Sequence, residues 1–211
     1  MTATQLKPPV MYVPRLFRED NPEIIAALIA QHPLASLVTL GPDGLEMSPV
    51  PLHYDPTPRE GAPHGLLRGH LARANPQWQG YNPAVPALAI FTGPNAYISP
   101  NWYPSKAEHG KAVPTWNYAV VEAQGPLRVI EDTEELRGLL AQLTAVHEAS
   151  QPHAWQLKDA PEDYLAAQLK AVVGIELAVE KLTGKWKMSQ NRSEADREGV
   201  KANLLKTDLV R

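Results

Sequence analysis

The sequence predicts a mainly β fold, a small closed or split barrel with peripheral helices. Strand-like runs follow one another through tight turns such as GPDG at 41–44, which favours antiparallel pairing over a parallel, doubly wound sheet. Helical patterns occur near the N-terminus, late in the chain and in the C-terminal tail. No internal repeat or linker divides the sequence, so residues 1–211 are predicted to form a single domain with an N-terminal helix and a basic helical tail.

The first helix is predicted to begin at Pro22, because Asn21 is a good N-cap residue and proline is favoured at the first helical position. Pro33 ends it, since a proline cannot continue a helix. Apolar residues recur at helical spacing and predict one buried face. They are Ile24, Ile25, Leu28 and Ile29.

Two later helices are predicted from their capping residues. Residues 132–150 form an amphipathic pattern, with Asp132 or Thr133 as the N-cap and Glu135 placed for a capping box. Residues 193–205 follow Ser193, a good N-cap, and carry acidic side chains in their first turn, as the helix dipole favours.

Between these helices, short runs rich in β-branched and apolar residues predict strands. The prolines of the second run, Pro49 and Pro51, cannot donate to a ladder and place it at a sheet edge or bulge. The proline-rich residues 55–63 are predicted to be a long hairpin loop, and Gly125-Pro126 a bend. The predicted strand runs are 35–40, 45–54, 64–72, 86–93, 96–100, 115–132 and 172–188.

Composition and charge narrow the class of protein. The sequence has no cysteine, which excludes disulfides and thiol catalysis and indicates a reducing, cytoplasmic setting. It has no signal-peptide pattern and no window of eighteen apolar residues, so no membrane association is expected. The net charge is −3, but residues 181–211 hold eight basic and four acidic side chains, or +4, which leaves −7 elsewhere. Such a basic tail suits contact with phosphate, or is a solvated helix.

Aromatic and amide side chains concentrate in residues 94–118. These rings can wall a planar ligand while the amides hydrogen-bond its polar edge; alternatively, the rings and prolines fix a long loop to the barrel. The residues concerned are Trp102, Tyr103, Trp116, Tyr118, Asn95, Asn101 and Asn117.

Two other stretches could bind phosphate. In residues 68–78, Arg68, His70 and Arg73 come close together before Asn75-Pro76, which could open a short helix; this is either a phosphate cradle or an exposed strand end. In residues 184–192, two lysines flank Trp186 and four hydrogen-bonding side chains follow. That basic, amide-rich turn suits phosphate or a ring carbonyl, or it is only the lead-in to the last helix.

Common catalytic patterns are absent from the sequence. It contains no GxGxxG or GxxxxGK[ST] phosphate loop, no HExxH and no GxSxG. No metal site is therefore expected. No residue stands out as a general base, so the sequence assigns no catalytic residue.

The motifs MYVPRLF, HLARANPQW, PNAYISPNWYPSK, VPTWNY and KWKMSQN, in this order, resemble the PaiB family. That family consists of FMN-binding split-barrel proteins, often labelled negative transcriptional regulators and related to pyridoxamine-phosphate oxidases. The resemblance implies an FMN-binding split β-barrel and a homodimer with cofactor at the subunit interface. It assigns the FMN phosphate to His70, Arg73 and Asn75. The isoalloxazine ring would be contacted by residues that the partner subunit supplies, namely Trp116, Asn117, Lys187 and Gln190.

Three functions remain open at this point. The first is a flavin-dependent oxidoreductase that uses a nicotinamide donor, with chemistry supplied by FMN. The second is a negative transcriptional regulator acting through a ligand or partner protein; direct DNA binding is not supported, because there is no helix-turn-helix pattern and the net charge is negative. The third is a haem-binding split barrel, with His70 or His109 as the iron ligand.

Overall fold

The structure is a computed structural model that describes residues 11–205; the last residues of the predicted basic tail lie outside this range. The chain divides into two compact units. The first unit contains the chain up to Gln31, Thr92–Val121 and the chain from Thr183 onward. The second contains His32–Phe91 and Glu122–Leu182.

Strands account for most of the regular structure, and the longer helices lie at the positions that the sequence predicts. Short 3-10 turns occur at Arg15–Phe17, Pro100–Trp102 and Leu157–Asp159. The helices are α1 (Pro22–Gln31), α2 (Gln77–Gly80), α3 (Ser105–His109), α4 (Thr133–Glu148), α5 (Glu162–Lys170) and α6 (Glu194–Leu204). The strands are β1 (Arg18–Glu19), β2 (Leu34–Gly41), β3 (Gly44–Pro51), β4 (His53–Asp55), β5 (Leu66–Ala72), β6 (Ala87–Ile98), β7 (Thr115–Gly125), β8 (Leu127–Ile130), β9 (Val172–Ala178) and β10 (Lys181–Lys187).

The strands form two sheets. One has six strands in the order β1-β10-β7-β6-β2-β3, and the other has four in the order β4-β5-β9-β8. Pairing is antiparallel between β2 and β3, β4 and β5, β5 and β9, and β8 and β9. This confirms the prediction of a mainly β, antiparallel fold with peripheral helices.

The proline-containing strand β3 lies at the edge of its sheet, as predicted. It pairs with β2 alone, with Pro49 opposite Ser36 and Pro51 opposite Leu34. An edge strand needs only one of its two hydrogen-bonding sides, so the missing proline donors are tolerated there. The loop between β4 and β5 is the predicted long hairpin loop, closed internally by two hydrogen bonds between Arg59 and Ala62.

Three strand predictions were wrong. The run 45–54, predicted as one strand, forms β3 and β4, which belong to different sheets. The runs 86–93 and 96–100 form the single strand β6, because Pro94 removes one donor without ending the ladder. The run 172–188, predicted as one strand, forms β9 and β10, which belong to different sheets. The β9 ladder ends after Ala178, because the next two residues bond elsewhere. The N–H of Val179 donates to the carbonyl of Gly65, in a loop, and the N–H of Glu180 donates to the carbonyl of Gln124, near the end of β7.

The predicted caps are present. Asn21 Oδ1 accepts from the N–H of Glu23, Asp132 Oδ1 from that of Glu135, and Ser193 Oγ from that of Asp196. In the second unit, α4 and α5 pack apolar side chains around Ile130; in the first, a smaller cluster joins β6 to α6. Within residues 11–205, no helix is long and apolar enough to cross a membrane.

Candidate functional site

Arg73, predicted to grip phosphate, lies in the turn after β5 in the second unit. Its Nε donates to the carbonyl of Lys170 at 3.0 Å, and its Nη2 to that of Val172 at 3.2 Å. Its Nη1 donates to Glu131 Oε1 at 3.0 Å, and the guanidinium lies over the ring of Trp78. A guanidinium has five N–H donors, so only one on each terminal nitrogen is left for a ligand.

The other two residues of this group differ in their contacts. Asn75 uses both ends of its amide: Nδ2 donates to Ser48 Oγ at 2.8 Å, and Oδ1 accepts from the N–H of Gln77. His70 is exposed on β5, opposite Gly174 of β9. Partial desolvation lowers the pKa of His70, so the imidazole is neutral at pH 7. The structure thus brings Arg73 and Asn75 into one turn, and the phosphate assignment stays a prediction.

Other arginines of the second unit are also paired. Arg68 donates to Glu176 Oε2 at 2.7 Å, and Arg128 bridges Glu176 and Glu135. The hydrogen bonds to Glu135 have the largest effect and raise the pKa of Arg128, and those to Glu176 raise it further. Arg68, which the sequence places in the same basic stretch as Arg73, is therefore part of an ion-pair network across β5, β8 and β9.

In the first unit, Lys187 lies at the end of β10. Its ammonium donates to Thr115 Oγ1 and to the carbonyl of Trp116, each at 2.5 Å. Desolvation lowers the pKa of Lys187, and the charges of Arg192 and Lys185 act in the same direction. An ammonium has three N–H donors, so one remains for a ligand.

The turn after β10 holds the next residues of the predicted site. Ser189 Oγ donates to Oδ1 of the buried Asn117 at 3.1 Å. Ser189 has φ of 63°, the left-handed region that costs a non-glycine residue energy. Gln190 closes the turn with both ends of its amide: Nε2 donates to the carbonyl of Trp186, and Oε1 accepts from the N–H of Met188.

Trp116 supplies an exposed aromatic surface beside this turn. Its side chain is 53% exposed although it lies in a strand, and Tyr97 meets it edge-on with ring centroids 6.1 Å apart. The structure therefore brings all four predicted ring-contacting residues into one connected group, through Lys187 to Trp116 and through Ser189 to Asn117. Gln190 differs from the other three, because both ends of its amide are used to hold the turn.

A small cavity of about 50 Å³ lies beside the same turn. The sequence predicts that the ring of Tyr103 could wall a ligand and that the turn with Arg192 suits phosphate or a ring carbonyl, but it does not place the two residues in one site. The available signal was an arginine immediately before the cap residue Ser193, in a basic turn without acidic residues. The cavity is lined by Tyr103, Thr115, Asn117, Lys187, Ser189, Asn191 and Arg192.

The two histidines that the haem hypothesis names, His70 and His109, are both exposed. His109 is exposed at the end of α3, and its Nδ1 accepts from the N–H of Lys111. In the part of the chain that the structure describes, no group of three or more histidine, aspartate or glutamate residues could hold a metal ion.

The chemistry of these donors fits a flavin. The edge of an isoalloxazine ring carries carbonyl oxygens and acceptor nitrogens, which need N–H donors, and its faces need aromatic contact. Lys187 has an N–H donor left after its two bonds, Asn117 carries an amide NH2 group beside the Oδ1 that accepts from Ser189, and Trp116 supplies an exposed ring. Together with the antiparallel sheets, these features define a split-barrel protein of the flavin-binding class.

The chain belongs to the family whose model is described as "Putative FMN-binding domain", which matches residues 11–181. This confirms the PaiB-type family and the FMN cofactor that the motifs predict. An uncharacterized protein of Emericella nidulans is 34% identical, over 90% of this chain and 88% of its own. The protease synthase and sporulation protein PAI 2 of Bacillus subtilis is 32% identical, over 88% of this chain and 85% of its own.

Among solved structures, the flavocytochrome Anf3 of Azotobacter vinelandii has a similar fold, with a TM-score of 0.63. The matched region covers 92% of this chain and 82% of the Anf3 chain, and the two sequences are 14% identical. At this identity the likeness concerns the fold, and it agrees with the split-barrel prediction.

Proposed function

We propose that this protein is a homodimeric, FMN-dependent oxidoreductase that takes electrons from a nicotinamide donor. The observation that carries the proposal is the Lys187 ammonium, held by the carbonyl of Trp116 beside the exposed ring of the same residue. When bound, FMN would supply the two-electron redox chemistry that a nicotinamide donor requires. The cysteine-free sequence supports placing this activity in the cytoplasm.

Each predicted group has a role in this proposal. The ring is contacted from the other subunit of the dimer than the phosphate. Trp116 offers a face to the ring, Lys187 and Asn117 donate to its polar edge, and Gln190 holds the turn that positions Lys187. A positive charge beside the ring favours the electron-rich form of a flavin. His70, Arg73 and Asn75 are assigned to the phosphate end, through the N–H groups that their internal hydrogen bonds leave available.

The homodimer is supported by an apolar stripe on the edge strand β3. Leu45 is 80% and Met47 is 60% exposed, and Pro49 and Pro51 continue the same face at alternate positions. A row of exposed apolar residues marks an association surface in soluble proteins, and a second copy of the chain would bury it. Sedimentation equilibrium should give twice the chain mass; a monomer at all concentrations would contradict this part of the proposal.

The FMN proposal is tested by titrating the purified protein with FMN and following flavin absorbance and fluorescence. Saturable binding is expected, and Lys187→Met should weaken it several-fold because it removes the ammonium beside the ring while keeping the aliphatic chain. Lys201→Met, which removes an exposed lysine of α6, is the matched control and should bind like the wild type. Absence of saturable FMN binding would overturn the proposal. Oxidation of a reduced nicotinamide by the FMN-loaded protein then tests for turnover.

A regulator acting through a ligand or partner is the second candidate. It is supported by the similarity to the Bacillus subtilis protein, whose name refers to protease synthesis and sporulation. Saturable FMN binding without nicotinamide oxidation or any other flavin-dependent turnover would favour this candidate over the oxidoreductase.

A further inference from the structure

The cavity beside the turn after β10 has an unusual chemical lining. Of its seven lining residues none is acidic, whereas Lys187 and Arg192 are cationic and the others, Tyr103 and Thr115 among them, carry hydroxyl or amide groups. Its volume of about 50 Å³ is far below the 300 Å³ or more of a typical cofactor pocket. The cavity therefore has room for a terminal group of a ligand and not for a flavin ring.

Arg192 is the first reason to expect an anion there. Its half-buried guanidinium stacks on the ring of Tyr103, 4.6 Å from the ring centre. It makes no side-chain hydrogen bond or ion pair with any residue in 11–205, unlike Arg68, Arg73 and Arg128 of the second unit. Removing part of a guanidinium from water without a partner is unfavourable, and an anion offsets that cost.

Tyr103 is the second reason. Its side chain is only 3% exposed, yet its hydroxyl is buried without a hydrogen-bond partner. An unpaired buried hydroxyl is unfavourable, and such groups commonly bind a ligand or water. Lys187 lines the same cavity and adds its positive charge, while Arg192 and Tyr103 supply the unpaired donors.

Asp196, an acid whose charge interacts with that of Arg192, does not form an ion pair with it. Asp196 feels the charge of Arg192, but its carboxylate accepts from the N–H and the hydroxyl of Ser105, at 3.1 and 2.8 Å. No ion pair within 4.0 Å joins Asp196 to Arg192, and both residues lie within the described part of the chain. The positive charge of the cavity lining is therefore left for a ligand.

We propose that this cavity is a binding site for a small oxoanion group, a phosphate or carboxylate, held by Arg192, Lys187 and Tyr103. Two molecules could supply that group. One is a second, anionic molecule that serves as substrate or effector; the other is FMN through its own phosphate, which would then replace the assignment of that phosphate to His70, Arg73 and Asn75. The site does not depend on the proposed flavin chemistry, since its lining alone defines it.

The first experiment measures binding of inorganic phosphate to the purified protein by calorimetry, at constant ionic strength kept with chloride. Saturable binding is expected, and Arg192→Gln should weaken it about tenfold or more, because it removes the charge-assisted hydrogen bonds. Arg197→Gln, which removes an exposed arginine of the same segment, is the matched control and should bind like the wild type. No saturable binding, or equal binding by Arg192→Gln, overturns the proposal.

Tyr103→Phe keeps the test valid if Arg192→Gln is poorly folded. This variant retains the ring under Arg192 and removes only the unpartnered hydroxyl, so the protein should be as stable as the wild type or more so. Phosphate binding should nevertheless fall roughly threefold to tenfold, the effect of one hydrogen bond. A variant that binds phosphate with unchanged affinity would remove Tyr103 from the site and contradict the proposed lining.

Riboflavin, which lacks the phosphate, identifies the source of the oxoanion. If FMN supplies it, phosphate competes with FMN, and Arg192→Gln reduces the preference for FMN over riboflavin. If a second molecule supplies it, the FMN-loaded protein still binds phosphate, and Arg192→Gln leaves FMN affinity unchanged. Both outcomes support the site. Phosphate binding without FMN binding would refute the proposed function alone, and FMN binding without saturable phosphate binding would refute this inference alone.

Discussion

Arg73 and Arg192 are both half-buried arginines stacked on an aromatic ring, but their surroundings differ. Arg73, in the second unit, lies over Trp78 and donates to two backbone carbonyls and to Glu131. Arg192, in the first unit, lies over Tyr103 and makes no hydrogen bond or ion pair with the described residues. Residue type and aromatic contact alone do not distinguish the two side chains.

The difference shows that most donors of Arg73 are occupied by contacts that hold the fold, whereas all side-chain donors of Arg192 are available to a ligand. A guanidinium whose donors reach carbonyls of Lys170 and Val172 fixes the end of α5 to the turn after β5. A guanidinium that lines a cavity without an acid contributes little to folding and is ready for an anion. Stability and binding measurements on matched variants can therefore separate the two roles.

The largest effect is expected for Arg73→Ala. It removes three hydrogen bonds of a charged group, so the free energy of unfolding should fall by about 2–3 kcal/mol, a figure reduced for partial exposure. Arg192→Ala should lose only its stacking, about 0.5–1 kcal/mol. Urea denaturation of both variants measures the two values. The slope of the free energy of unfolding against urea concentration should be the same for both variants.

Arg197→Ala, on the exposed side of α6, controls for loss of a surface charge and should change stability by less than about 0.5 kcal/mol. The comparison fails if Arg192→Ala is as destabilising as Arg73→Ala, since Arg192 would then be a structural residue like Arg73.

A smaller effect is expected for Asp196→Asn. Burial alone would raise the pKa of Asp196, but hydrogen bonds from Ser105 and Ser193 and the charge of Arg192 together lower it. Because the pKa in the folded state lies below the unfolded value, this carboxylate stabilises the fold above about pH 4, and the contribution is lost as the pH falls through the folded pKa. At neutral pH the variant should lose about 1–2 kcal/mol, and its deficit should shrink on acidification.

The same measurement in the Arg192→Ala background sharpens the comparison between Arg192 and Arg73. In Arg192→Ala protein the pH dependence due to Asp196 should persist, because Ser105 supplies two of its hydrogen bonds. If Arg192→Ala abolishes that dependence, Asp196 neutralises Arg192 in solution, and the contrast with the paired Arg73 is lost.

Local features of this fold could be predicted from the sequence, and features that depend on distant contacts could not. The caps at Asn21, Asp132 and Ser193 and the edge position of β3 follow from neighbouring residues, and the structure confirms them. The partners of Arg73 lie 58 to 99 residues away along the chain, so no local pattern could show that its donors are occupied.

The cavity was missed for the same reason. Tyr103, Thr115 and Arg192 come from three separate segments, and only the folded chain places them around one space. Lys187 and Asn117 were predicted for the site because the family resemblance named their motifs. That resemblance carries information about residues brought together in the fold, which spacing within one sequence does not.

The smallest effect concerns the backbone beside Arg192. Positive φ occurs at glycines in both units, Gly44, Gly61 and Gly65 in the second and Gly110 in the first, whereas Ser189 of the first unit adopts φ of 63° without being a glycine. Both Ser189→Ala and Ser189→Gly remove the hydroxyl bonded to Asn117, but only glycine relieves the left-handed backbone. Ser189→Gly should therefore be about 1 kcal/mol more stable than Ser189→Ala in urea denaturation.

That difference isolates the energetic cost of the turn, because the two variants differ in the β-carbon alone. Strained residues persist where the surrounding structure needs them, commonly at binding sites. A serine here is consistent with a turn selected for its hydroxyl and for the position it gives Arg192. Equal stability of the two variants would mean that the backbone at this position is relaxed; the first unit would then resemble the second, and the case for a ligand site would depend on the unpaired donors of Arg192 and Tyr103 alone.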